Sequence, residues 1–252
     1  MGRPNLGSKQ GFLDRVDQIF EDRWLTNNGP LVQELEHRIA SYLGVKHCIA
    51  VANGTLGLQL AAQALELDGN VVMPAMTFIA TAHAFHWIGI QPKFADIDPK
   101  TLNLCPDSVA AQIDGNTSCI VGVHLFGRPC AVKPLETLAR EHQIPLIFDA
   151  SHSFGSSHND QRIGTFGTCE VFSFHATKIF NTFEGGAITT NDADLAAKLK
   201  LVRNFGFDGE DSVTSLGINA KMSEINAAMG LTNLDAMPRF IETNTEWNHN
   251  KL

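Results

Sequence analysis

Lys178 is the first residue in this chain whose setting suggests chemistry. No other lysine or arginine occurs between Arg162 and Lys198, and its surroundings, VFSFHATKIFNTFEGGAITT over 171–190, are mostly small or aromatic. Such neighbours desolvate an ammonium, lower its pKa and leave a neutral amine that can attack a carbonyl. Ser173 closes the apolar run before it and offers a hydroxyl where a phosphate could sit. Taken alone, the stretch equally describes a solvated lysine on an ordinary β-loop-β connection. Three further groups elsewhere in the chain shift that balance.

The first is Asp149, which ends the apolar run Ile144–Phe148 and is followed by Ala-Ser-His152. A carboxylate there is costly to bury unless something positive meets it. A helix N-cap or a cationic ring nitrogen would each account for it. The second is Ala52-Asn-Gly-Thr-Leu-Gly57, which turns from a strand directly into a helix. Free N–H groups and the helix dipole favour an anion at such a turn, and Thr55 adds a hydroxyl, although a plain N-cap fits the same residues. The turn is neither GxxxxGK[ST] nor GxGxxG, which counts against nucleoside triphosphates and NAD. The third is Phe78 in Pro74-Ala-Met-Thr-Phe-Ile-Ala-Thr81, either a core aromatic or a face for a flat ring. One lysine, one strand-end aspartate, one anion cradle and one stacking aromatic are together what pyridoxal 5′-phosphate requires.

The elements that must position these groups follow from hydrophobic spacing. Phe12, Leu13, Val16, Ile19 and Phe20 predict a helix over 10–24, and Leu31, Leu35, Ile39 and Leu43 a second one, opened by Pro30 and stopped by Gly44. Strands are expected at 47–52, 70–73, 92–97, 118–126 and 145–149. Helices are expected at 55–67, 78–88, 106–113 and 132–142. Near-continuous apolar strands alternating with helices predict a parallel sheet covered on both faces, with ligands beyond the carboxyl ends of the strands.

Composition narrows the function classes. The 252 residues suffice for one large core, or for one domain and part of another. Nineteen basic against 27 acidic residues give a net charge of −8, and with it no general attraction for nucleic acid or an anionic membrane. No apolar run reaches membrane-spanning length, and MGRPNLGSKQ lacks a signal-peptide core. Five scattered cysteines without a CxxC pair predict reduced thiols in a cytoplasm and no metal site.

An ordered series of segments carries a resemblance across about 25–234: LTNNGPLVQELE, NGTLGLQLAAQAL, PAMTFIATAHA, PKFADIDPKTLNL, HLFGRP, FDASHSFGS, FSFHATK, EGGAITTND and GINAKMSEINAAMGL. Together they resemble the DegT/StrS-type sugar-nucleotide aminotransferases, pyridoxal-phosphate enzymes of the aspartate aminotransferase fold. The resemblance implies a three-layer α/β/α large domain on a mostly parallel sheet. It implies that Lys178 forms the Schiff base, Asp149 meets the pyridine nitrogen, His152 the ring hydroxyl and Phe78 the ring face. It implies a phosphate cradle of Gly54, Thr55, Leu56 and Ser173. Asn219 matches an asparagine that reaches the phosphate of a neighbouring subunit, which implies a homodimer with shared sites. Three positions depart from the family pattern: Phe148 replaces an acid, Ser151 an alanine, and Ala220-Lys221 a Tyr-Arg pair.

The expected activity is transfer of an amino group from L-glutamate to a keto-sugar nucleotide, a dTDP-4-keto-6-deoxyhexose, giving a 4-amino-4,6-dideoxy sugar for a surface polysaccharide or related glycan. The alternatives are a pyridoxal-phosphate sugar dehydratase, in which the family has histidine for lysine, and a cofactor-binding or regulatory remnant without turnover. The expected organisation is an N-terminal helix and arm over 1–30, a cofactor-binding large domain over 31–237, and the start of a small C-terminal domain over 238–252. Phe240, Ile241, Trp247 and Leu252 are too few large apolar residues for a separate core beyond Met237. A chain ending there is expected to bind the cofactor but to turn over poorly.

Overall fold

Each central strand is apolar on both sides because helices cover both faces of the sheet. The computed structural model describes residues 3–249, with side chains described to residue 245. In chain order it runs α1 (Lys9–Asp22), α2 (Pro30–Leu43), β1 (His47–Val51), α3 (Gly54–Ala64), β2 (Asn70–Pro74), α4 (Ile79–Trp87), β3 (Gln91–Ala95), α5 (Pro106–Gln112) and β4 (Thr117–Val123). After a 3-10 turn at Leu125–Gly127 come α6 (Val132–His142), β5 (Leu146–Asp149), the small hairpin β6 (Ser157–His158) and β7 (Gln161–Arg162), β8 (Cys169–Ser173), β9 (Gly186–Thr190), α7 (Ala193–Val202), α8 (Glu224–Asp235) and α9 (Met237–His249).

The seven-stranded sheet has the order β1-β9-β8-β5-β4-β2-β3. Alternate residues of each strand go to opposite faces. Ile49, Val51, Val71, Val121, Ile147 and Val171 pack with α3, α4 and α7 on one side. Cys48, Ala50 and Phe172 meet α2 and α8 on the other, and Val72, Ile120 and Phe148 meet α5 and α6 there. The mostly parallel, three-layer α/β/α architecture expected from the resemblance is the one observed.

One strand departs from a wholly parallel reading. β9 is antiparallel to both β1 and β8, while the other pairings are parallel. Parallel neighbours need a crossover, and the β8–β9 connection, residues 174–185, contains no helix. The start of β9 therefore lies at the same edge as the carboxyl ends of β4, β5 and β8, which is where Lys178 must be delivered.

Boundaries moved where distant contacts intervene. The strand expected to continue to Phe126 stops at Val123, because His124 turns inward to Glu170, Nε2 to Oε2 3.1 Å. Phe126 itself adopts a left-handed φ of 53° and is exposed. The helix expected to reach Leu67 ends at Ala64. The first helix ends at Asp22, and its expected apolar stripe is only partly covered, since Ile19 is buried and Phe20 is 75% exposed. The four predicted core residues of α2 are all buried, and Gly44 (φ 76°) ends that helix. Its N-terminus has no side-chain cap of its own. Glu224 accepts from the N–H groups of Leu31 (2.8 Å) and Val32 (3.1 Å) instead. Burial pushes the Glu224 carboxyl upward, against those bonds.

α9 begins at Met237, the last residue before the expected start of the small domain at 238. Its Met237 and Phe240 are buried in the cluster that α2, α8 and β8 share. The Trp247 side chain and Leu252 lie outside what the structure describes.

Candidate active site

The lysine loop is held by aromatic packing at both ends. Phe174 before it and Phe180 after it are fully buried and meet edge to face at 4.7 Å, with Phe154 stacked on Phe180 at 4.5 Å. Each buried phenylalanine contributes about 1.5–3 kcal/mol, so the loop ends are fixed by the core. Backbone bonds close the loop: Thr182 N to Phe174 O at 2.9 Å and Lys178 N to His175 O at 2.9 Å. The N-terminal arm adds a clamp, with Asn5 Nδ2 donating to Ile179 O (3.0 Å) and Asn181 Nδ2 to Asn5 O (2.8 Å).

Lys178 faces a cleft of about 850 Å³ at the strand ends, of a size that suits a small cofactor. The cleft brings together Gly54, Thr55, Leu56, Phe78, Asp149, His152, Ser173 and Lys178 from four separate parts of the chain. A smaller hollow of about 310 Å³ adjoins it beside Lys178 and His152, walled by Phe126, Phe154 and Ile179. Asn219 does not line the cleft. It stands exposed on the segment before α8, bridged to Asn204.

The anion cradle has a specific construction. Asn53, at the N-cap of α3, accepts the Leu56 N–H at 2.8 Å. Leu56 lines the cleft, but its N–H is already engaged. Gly54 and Thr55 supply the first two N–H groups of the helix, which have no carbonyl within it to bond. A Cβ on Gly54 would stand 3.1 Å from Ser173 Cβ, so this helix end sits directly on the end of β8. The Thr55 and Ser173 side chains complete a polar wall.

Asp149 is 6% exposed and makes no ion pair among the described residues. Its Oδ2 accepts from Thr81 Oγ1 at 2.7 Å and its Oδ1 from Ser151 N at 3.1 Å. A buried carboxylate with neutral partners and one side on a cleft fits a cationic ring nitrogen. Burial pushes the Lys178 ammonium below its ordinary value of 10.5, while Asp149 pulls the other way. His152 is lowered first by burial, then by Lys178, with Asp149 opposing. At neutral pH the site thus favours an uncharged imidazole and eases loss of the lysine proton. These residues fit pyridoxal phosphate: a reactive amine, a cradle that glycine keeps open, and an anionic contact for the ring.

The departures noted above have structural counterparts. Phe148 is buried and stacks on His124 at 4.6 Å, so an apolar ring suits that position. Ser151 holds Asp149 through its backbone N–H, which any residue but proline could do. Lys221 donates to Asn204 Oδ1 at 2.8 Å and lies over the Phe205 ring at 4.7 Å. Several polar residues around the site carried no assigned role at the level of sequence: Asn53, Thr77, His175, Thr177 and Glu184 line the cleft, and Thr81 stands behind it. An N-cap signal marks Asn53. Nothing in the local pattern marks the two threonines.

Comparison with known proteins places this geometry in a family. Residues 8–249 match the model of the DegT/DnrJ/EryC1/StrS aminotransferase family. A dTDP-4-amino-4,6-dideoxy-D-glucose transaminase of Shigella dysenteriae is 40% identical over 239 residues, covering 95% of this chain and 65% of the relative. The solved structure of DesI in the presence of its TDP-sugar product superposes with a TM-score of 0.91 at 53% identity, covering 94% of this chain and 60% of that one. NtdA from Bacillus subtilis with bound cofactor PMP gives a TM-score of 0.84 at 28% identity, over 90% of this chain and 53% of that one. The chain therefore spans somewhat less than two thirds of the length of these relatives. It belongs to the DegT/DnrJ/EryC1/StrS aminotransferase family.

Proposed function

We propose that this chain binds pyridoxal 5′-phosphate and transfers an amino group from L-glutamate to the ketone of a sugar nucleotide, a dTDP-4-keto-6-deoxyhexose. The observation that carries the reading is the meeting of Lys178, Asp149 and the α3 N-terminus in one cleft. The named activity of the Shigella relative and the TDP-sugar product of DesI support the substrate class. The bound cofactor of NtdA supports the prosthetic group.

When bound, the cofactor supplies an electron-withdrawing ring that stabilises negative charge on the carbon beside the amine. The chain's own residues do the rest. The Gly54 and Thr55 N–H groups and the Ser173 and Thr55 hydroxyls hold the phosphate. Phe78 lies against the ring, Asp149 takes the ring nitrogen and His152 the ring hydroxyl. Lys178 would hold the aldehyde and, as a free amine, would move the donor's Cα proton as general base and acid. Burial lowers its pKa, which eases that exchange. The product is a 4-amino-4,6-dideoxy sugar nucleotide for glycan assembly. The working unit is a homodimer in which Asn219 reaches the partner's phosphate site, and a reducing cytoplasm suits its free cysteines.

The test combines trapping with turnover. Borohydride reduction of the loaded protein, followed by peptide mapping, places the cofactor on Lys178. A panel of keto-sugar nucleotides with glutamate then yields an amino sugar by mass spectrometry. A tag on any other lysine, or amination of none of the panel, overturns the reading.

A further inference from the structure

Two threonines stand behind Asp149. Thr81 is fully buried, and its hydroxyl donates to Asp149 Oδ2 at 2.7 Å. A hydroxyl has one hydrogen, so with that hydrogen on the carboxylate Thr81 Oγ1 can only accept from Thr77 Oγ1, 2.6 Å away. The hydrogens therefore run from Thr77 to Thr81 to Asp149. Thr77 lines the cleft, and Thr81 lies in the first turn of α4 with its N–H on Phe78 O at 3.0 Å. One turn of chain thus carries both the aromatic at the ring face and the support of the carboxylate.

We infer that Thr81, oriented by Thr77, is a positioning residue that aims the Asp149 carboxylate at the cofactor's ring nitrogen. The inference rests on the pyridoxal-phosphate reading above. A carboxylate turns easily about its terminal bond, whose torsional preference is broad and two-fold. With Oδ1 on Ser151 N and Oδ2 on Thr81, that rotation is restrained in a carboxylate that lines the cleft. The hydrogen bond from Thr81 is charge-assisted, and Thr77 polarises it further. Valine would fill the same buried space but donate nothing.

Positioning of this kind is felt only by a ligand that has a ring nitrogen, which separates it from mere packing. Apo protein is titrated, by absorbance, with pyridoxal phosphate and with its 1-deaza analogue, in which C–H replaces the ring nitrogen. Thr81→Val weakens pyridoxal phosphate about tenfold and leaves the deaza analogue within about twofold of wild type. Thr81→Ser, which restores the donor, recovers affinity to within about threefold of wild type. Thr77→Val, which leaves the buried methyl group of Thr81 in place, costs about threefold for pyridoxal phosphate alone. Should Thr81→Val not fold, Thr77→Val carries the same comparison. Equal losses for the two cofactors, or no loss for pyridoxal phosphate, overturn the inference. A wild-type protein that binds neither cofactor overturns the cofactor reading itself.

Discussion

Gly186 is the position where one added methyl group should separate cofactor-phosphate binding from the rest of the site. It opens β9, paired with Val51 on one side and Ser173 on the other. A Cβ built there would lie 2.6 Å from Phe172 O, 2.9 Å from Asn53 C and 2.9 Å from Gly54 N. All three atoms are backbone, so no side chain can rotate out of the way. Ordinary contact begins at 3.4 Å, so Gly186→Ala must push Phe172 O away by about 0.8 Å and the Asn53–Gly54 backbone by about 0.5 Å, an overpacking that costs about 1–3 kcal/mol. The displaced atoms carry the first N–H groups of α3 and adjoin Ser173, so the damage falls on the cradle. Urea denaturation should show that loss of stability, out of the roughly 5–15 kcal/mol a domain of this kind has. Pyridoxal phosphate affinity should fall by about tenfold or more, while pyridoxal, which lacks the phosphate, binds nearly as before. Gly115→Ala, where nothing lies within 4 Å, is the control and should change stability by no more than about 0.5 kcal/mol. Wild-type pyridoxal phosphate affinity in a folded Gly186→Ala protein, or equal loss of both ligands, would refute the reasoning.

Two further outcomes are expected. Only the neutral amine of Lys178 captures an aldehyde, so the capture rate should rise with pH through a midpoint below 10.5, because burial lowers that pKa. Asp149 opposes the shift, so Asp149→Asn should move the midpoint lower still; stopped-flow absorbance across pH reads both, and a wild-type midpoint at or above 10.5 would contradict the burial argument. If Asn219 serves a neighbouring subunit, mixing inactive Lys178→Ala with Asn219→Ala chains regenerates some sites with both residues intact. Mixed dimers that form without recovering any activity would rule out shared sites.

Much of this molecule is written in local pattern. Pro30 and Gly44 bracket α2 because helix entry and exit depend on a single residue's dihedral range and N–H. The apolar strands showed themselves as near-continuous apolar runs, and the glycine-threonine turn after β1 as a strand-to-helix junction with free N–H groups and a hydroxyl. Lys178, Asp149 and Ser173 were legible for a related reason: each is a polar group set in or at the end of an apolar stretch, and residue type alone reveals that, whereas residue type left Phe78 open between a core aromatic and a ring face. The segments shared with the family then assigned His152, Leu56 and Asn219, which spacing could not have done.

Tertiary structure decided whatever depends on partners distant in the chain. An apolar run does not disclose its direction, because a buried strand is covered on both faces whether it runs parallel or antiparallel. β9 is reversed because its connection to β8 holds no crossover helix. β4 stops at Val123 because His124 has a buried carboxylate to reach, 46 residues further on. The Leu56 N–H proved to be taken by Asn53, a choice made by one side-chain torsion. Thr81 reads as an ordinary helical threonine until folding sets it 2.7 Å from Asp149, across 68 residues of chain. Residue types state which groups can react. Only the packed sheet, by fixing which strand ends share one edge, determines which of them meet.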